Sequence, residues 1–140
     1  MMRPFRELSA LVCAFALGGV AAAETPHINY MLECQGCHLA DGTGSAGKVP
    51  ALKNFVGRFL TVAGGREFLV RVPGSAQSAL DDRELAEVLN WIIRRFGPDD
   101  VSRDFVAFTR EEVTRYRGRP LTDVESVRSE LIRHMQGRPD

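Results

Sequence analysis

The chain has 140 residues, with 18 basic and 18 acidic side chains, 44% hydrophobic residues and 26% charged ones. That is the profile of a single soluble globular domain and excludes a disordered or fibrous chain. A formal net charge of zero supplies no basic excess with which to neutralise phosphates, so nucleic acid is set aside as a partner.

The first apolar stretch, residues 8–20, is too short to cross a bilayer, which takes roughly 20 apolar residues. It reads as the core of a signal peptide. Arg3 and Arg6 form the positive n-region, and Ala21, Ala22 and Ala23 offer a small-residue cleavage site ahead of Glu24. Residues 1–23 are therefore expected to be removed on export, with no membrane span left afterwards. Cleavage takes Arg3, Arg6 and Glu7 away and leaves 16 basic and 17 acidic side chains. Cys13 goes with the leader, so two cysteines remain, in a compartment where unassigned thiols tend to pair or react.

Those two fall in Cys34-Gln35-Gly36-Cys37-His38, the CxxCH pattern of c-type haem attachment. Two thiols reach the two vinyl groups of one porphyrin, and the adjacent imidazole sits beneath the iron. If Cys34 opens the last turn of a helix, Cys37 lies three positions on and on the same face. Three other readings of the cysteine pair stay open: a structural disulfide, a redox-active thiol pair and a zinc site. A redox pair favours a βαβ setting that the helical, glycine-rich sequence downstream does not provide. Zinc wants four ligands, and only His27 and His134 remain outside the cluster.

Further along the chain the pattern is helical, and nothing reads as a strand. A first helix is expected over 28–37 and a shorter one over 65–72, broken by Pro73 and Gly74. Asp81 followed by Glu84 makes a capping box. Leu85, Val88, Leu89, Ile92 and Phe96 then form one apolar stripe, stopped by Gly97 and Pro98. Trp91 is expected to pack near Tyr30. Residues 98–140 add a loop and two short helices, with capping boxes expected at Thr109/Glu112 and Thr122/Glu125. Their 8 basic and 9 acidic residues form neither a basic arm nor an acidic tail. The preferred role for this segment is a helical wrap that adds buried surface to the same domain. The alternative is a cover over the distal side of the haem, or a docking face.

Residues 28–97 resemble a class I c-type cytochrome. The resemblance rests on Tyr30 four residues before Cys34, on CxxCH itself, on the loop carrying Asp41, Gly42, Gly44, Gly47, Pro50 and Leu52, and on the closing helix. It implies an all-α fold of a few helices around one covalently bound haem c. The chain then divides into a signal peptide at 1–23, a haem domain at 24–97 and a helical extension at 98–140. The resemblance further implies that Cys34 and Cys37 hold the haem, that His38 is the proximal iron ligand, and that the Pro50 carbonyl accepts a hydrogen bond from the His38 ring.

One expected residue is missing, because the loop before the closing helix contains no methionine to serve as sixth ligand. After cleavage only Met31 and Met135 remain. Met31 is expected to be core. Met135 shares a helical stripe with Val124, Val127 and Leu131. His134 and His27, then Lys53 and Gln77, are weaker candidates, and an open or water-filled position is the preferred state. The expected function is a periplasmic electron carrier, not an enzyme, fed by an exported dehydrogenase and discharged by a terminal oxidase or another cytochrome. The alternative is a haem protein that binds or transforms a small ligand at an open iron. For peroxide chemistry, no convincing distal acid-base residue is present.

Overall fold

A computed structural model describes residues 25–97 and 105–137. Residues 1–23, expected from the sequence to be a signal peptide, lie outside that range. Among the described residues the structure is all-α, and the sole sheet-like pairing is an isolated bridge between Ser45 and Val49 that closes a loop.

Helix α1 (Pro26–Glu33) starts earlier than its apolar pattern suggests. Thr25 caps it and Pro26 occupies the first turn, where its missing N–H costs nothing. The helix does not run through to Cys37. Cys34 departs from helical geometry at φ −123°, and a separate turn, α2 (Gln35–His38), follows. Helix α1 buries Asn29 and Tyr30, while Ile28, Met31 and Leu32 stay exposed. The expectation that Met31 belongs to the core is thus corrected: it is 45% exposed. Tyr30 sets the buried face, and the residue after it is turned about 100° away around the helix axis.

A 3-10 helix at Val56–Thr61, which the sequence pattern does not announce, leads into α3 (Gly65–Arg71). The tight join explains Gly65: a Cβ there would collide with the Phe59 carbonyl. Pro73 breaks α3 as expected, but it also opens a short further helix, α4 (Pro73–Ala76).

Helix α5 (Asp82–Phe96) is the spine of the fold. Its capping box is complete, with the Asp81 side chain accepting from the Glu84 N–H and the Glu84 side chain accepting from the Asp81 N–H. All five residues of the expected stripe are buried, joined by Ala86 and Ile93. Each large apolar side chain contributes on the order of 1.5–3 kcal/mol of burial free energy. Helix α1 crosses α5 where Tyr30 meets Trp91 and Phe96, with ring centroids 5.1 and 5.3 Å apart.

Helices α6 (Arg110–Arg117) and α7 (Val124–Met135) return onto this frame. Phe108, Val113 and Leu131 are buried in the common core. The Asn90 side chain holds both backbone groups of Phe108, at 3.0 and 2.7 Å. Arg66 grips both carboxylate oxygens of Glu112 at 2.7 and 2.6 Å. Thr109 caps α6 by accepting from the Glu112 N–H, but the Glu112 carboxylate goes to Arg66, so half of the expected box forms. The second expected cap is displaced by one residue. Asp123, not Thr122, caps α7, accepting from the Ser126 N–H at 3.0 Å. A carboxylate is the stronger acceptor at a helix N-terminus.

Candidate functional site

The three residues singled out by the CxxCH pattern sit on one turn. The Cys34 carbonyl accepts from the backbone N–H groups of both Cys37 and His38, at 3.2 and 3.0 Å. Cys34 is half-buried against the core, Cys37 is exposed, and both are free thiols. Burial pushes the Cys34 thiol up to about 11, with Glu33 and then Cys37 adding to the effect. A redox-active cysteine is typically shifted in the opposite direction. Among the described residues no three histidine, cysteine, aspartate or glutamate side chains converge on a common point, so zinc has no ligand set there.

His38 Nδ1 lies 3.2 Å from the Pro50 carbonyl. A carbonyl only accepts, so Nδ1 carries the proton and Nε2 keeps its lone pair. Burial lowers the His38 pKa, against a smaller opposing effect of the Pro50 hydrogen bond. The ring is therefore a neutral imidazole with one nitrogen oriented and the other available to a metal. Pro50 is itself held by its loop. Gly44, at φ +66°, donates to the His38 carbonyl at 3.1 Å, and Ser45 donates to the Val49 carbonyl at 2.9 Å. Any side chain at Gly44 would collide with the Val49 carbonyl and come within 2.8 Å of the Pro50 carbonyl oxygen.

Cys37 and His38 open onto a cleft of about 440 Å³, within the roughly 300–1,000 Å³ typical of small-molecule and cofactor sites. Residues 48–52 form part of its lining, and Phe59, Phe68, Leu69 and Val72 supply much of its apolar surface. The extension takes part as well, through Val124 and Arg128 of α7. Lys48 and Arg128 are the charged side chains on the cleft, and the Arg128 guanidinium also lies 5.3 Å from the centre of the Phe55 ring.

This donor set fits haem. Two thiols lie a helical turn apart, an oriented neutral imidazole stands beside them, the cleft is apolar, and two cations are available to the two carboxylates of the group. The sequence pattern points to Cys34, Cys37, His38 and Pro50 but misses Lys48, Arg128 and the apolar lining. The only available signal for α7 is the i, i+4 spacing of Val124 and Arg128, which places them on one face.

The candidates for a sixth ligand are dispersed. Met31 is on the exposed side of α1, His27 stacks on Trp91 at 5.1 Å, and Met135 lines a different depression with Phe55, Arg58, Thr61 and Ile132. His134 is exposed on the last turn of α7, and Lys53 and Gln77 are exposed too. None of these six lines the cleft.

No protein-family model matches the chain. A protein named cytochrome c-552 from Thermus thermophilus is 33% identical over 130 residues, an alignment covering 80% of this chain and 88% of the relative. A second Thermus thermophilus protein of the same name is 34% identical over 108 residues, covering 64% of this chain and 82% of the relative.

Proposed function

The chain belongs to the c-type cytochromes, and from that premise we propose that it is a monohaem electron carrier of the periplasm. Cys34 and Cys37 hold the haem through thioether bonds, and His38 is the proximal iron ligand. Lys48 and Arg128 pair with the haem carboxylates. Iron in this setting supplies one-electron chemistry. The polypeptide makes or breaks no bond in the redox step; it fixes the ring of His38, excludes water with an apolar lining and leaves Cys37 exposed at the protein surface. The observation that carries this reading is the His38 Nδ1 contact with the Pro50 carbonyl beside the cleft, because it prepares Nε2 for a metal.

The domain division follows: a leader at 1–23, a haem domain at 24–97, and an extension at 98–140 whose α7 shares the cleft. Export is supported by the leader's charge and apolar pattern. Among the described residues no helix is long and apolar enough to cross a membrane. An exported dehydrogenase is the donor, and a terminal oxidase or a second cytochrome the acceptor. The test is expression alongside a cytochrome c maturation system. A red product with the mass of one attached haem, lost in Cys37→Ser, is the expected result. A colourless parent protein overturns the assignment.

A further inference from the structure

The cleft lacks the side chains that would close both axial positions of a haem iron. Histidine, methionine and cysteine are the usual protein donors to such iron, and on this cleft they are represented only by His38 and Cys37, while the cleft's lysine, Lys48, is assigned above to a haem carboxylate. Cys37 is assigned above to thioether attachment. Every other histidine and methionine beyond the leader is accounted for elsewhere in the fold. Met135, on the same helix as the lining residue Arg128, lies seven positions past it, about 10 Å along the helix axis.

The surrounding chain is fastened in place. Arg117 donates to the carbonyls of Ala76, Ser78 and Leu80 at 3.1, 2.6 and 2.6 Å, and to Asp82 at 3.1 Å. Arg71 donates to the Arg119 carbonyl at 2.6 Å, and Leu121 returns a bond to the Arg71 carbonyl at 2.9 Å. These bonds pin the segment after Val72 to the extension, and that segment holds no histidine, methionine or cysteine.

We propose that the iron position not taken by His38 receives a small neutral π-acceptor molecule, of the class of carbon monoxide or nitric oxide, in place of a side chain of this protein. This rests on the haem attachment proposed above. Phe59, Phe68, Leu69, Val72 and Val124 give that molecule an apolar setting, which disfavours an unpaired anion. The cleft carries no carboxylate and no second imidazole, so no positioned base is present to drive peroxide chemistry. The event is binding alone. The ligand's lone pair forms a coordinate bond to ferrous iron, no electron changes owner, and no proton moves.

The experiment uses the mature haem-loaded protein, reduced with dithionite and titrated with carbon monoxide. The expected result is a shift of the main visible absorption band that saturates at one equivalent per haem and is unchanged in Met135→Ala, His134→Ala and His27→Ala. Haem-loaded protein whose spectrum ignores carbon monoxide, or responds only after Met135→Ala, overturns the proposal while leaving haem attachment intact. Protein with no attached haem by mass overturns both. Val72→Phe, which narrows the cleft, should slow carbon monoxide association about tenfold per attached haem, since steric access governs the rate. An unchanged rate would move the binding site away from this cleft and overturn the assignment.

Discussion

The Tyr30 hydroxyl donates to the Leu39 carbonyl at 2.6 Å, and it holds there a residue whose backbone is at φ 62°, ψ 166°. That region is populated almost only by glycine, and a side chain in it costs of order 1–3 kcal/mol. The strained residue directly follows His38. Tyr30 is itself fully buried against Trp91 and Phe96, so the core of α1 and α5 fixes the direction in which the chain leaves the imidazole.

Tyr30→Phe removes that bond and keeps the ring. The expected loss is about 1 kcal/mol, or roughly 4 °C in thermal midpoint. Leu39→Gly in the same background should recover part of it by relieving the backbone. Melting curves of the two single variants and the double variant decide; additive losses would mean that Leu39 is not held under strain.

Burial is the main cause that pushes the Tyr30 phenol up to about 12, with the Asp41 carboxylate adding to it. An unfolded tyrosine titrates near 10. The folded state therefore favours the protonated phenol, and this contribution is complete below about pH 10 and is lost as pH climbs towards about 12. Denaturant midpoints measured across that window should fall in the parent and fall less in Tyr30→Phe. Equal slopes would remove Tyr30 as the cause.

Local signals in the sequence transfer well to this fold, and distant ones do not. The α5 capping box and its apolar stripe are legible because each needs only residues within a few positions. The CxxCH turn is legible for the same reason, whereas the Pro50 contact, 12 positions from His38, is implied only by the family resemblance. Met31 was misplaced because a single methionine next to Tyr30 carries no information about which side of α1 faces α5. The break at Cys34 and the cap at Asp123 each turn on one residue's backbone angles. Arg66 with Glu112, 46 positions apart, and Arg117 with the carbonyls of the segment at 76–80 are invisible to any periodicity. They decide where the extension sits, and so whether α7 reaches the cleft.

Arg117 is the most connected of these distant contacts. Its side chain is 16% exposed and satisfies three backbone carbonyls as well as Asp82. Arg117→Ala leaves those groups to find water, and hydrogen bonds to a charged donor are worth about 1.5–3 kcal/mol each without adding fully. A loss of roughly 3 kcal/mol in urea unfolding is expected. Arg83→Ala breaks an exposed pair with Glu87, and it should change stability by less than about 0.5 kcal/mol. Similar effects from the two variants would refute the clamp.

Gly44→Ala tests whether the loop positions the imidazole. The new methyl group would meet the carbonyls of Val49 and Pro50 in a backbone conformation that already disfavours a side chain. The left-handed conformation alone costs about 1–2 kcal/mol, and the collision adds to it. The loop must shift, which draws the Pro50 carbonyl away from His38 Nδ1. A hydrogen bond at that nitrogen raises ligand basicity, so its loss should make the haem reduction potential more positive, a change that destabilisation elsewhere in the fold would not produce. Gly36→Ala is the matched control: a methyl group there meets nothing within 4 Å. It lies within a helical turn, so it should stabilise the protein by about 0.5–1 kcal/mol. Potentiometry of the two variants beside the parent separates the cases, and an unchanged potential in Gly44→Ala would show that Pro50 does not tune His38.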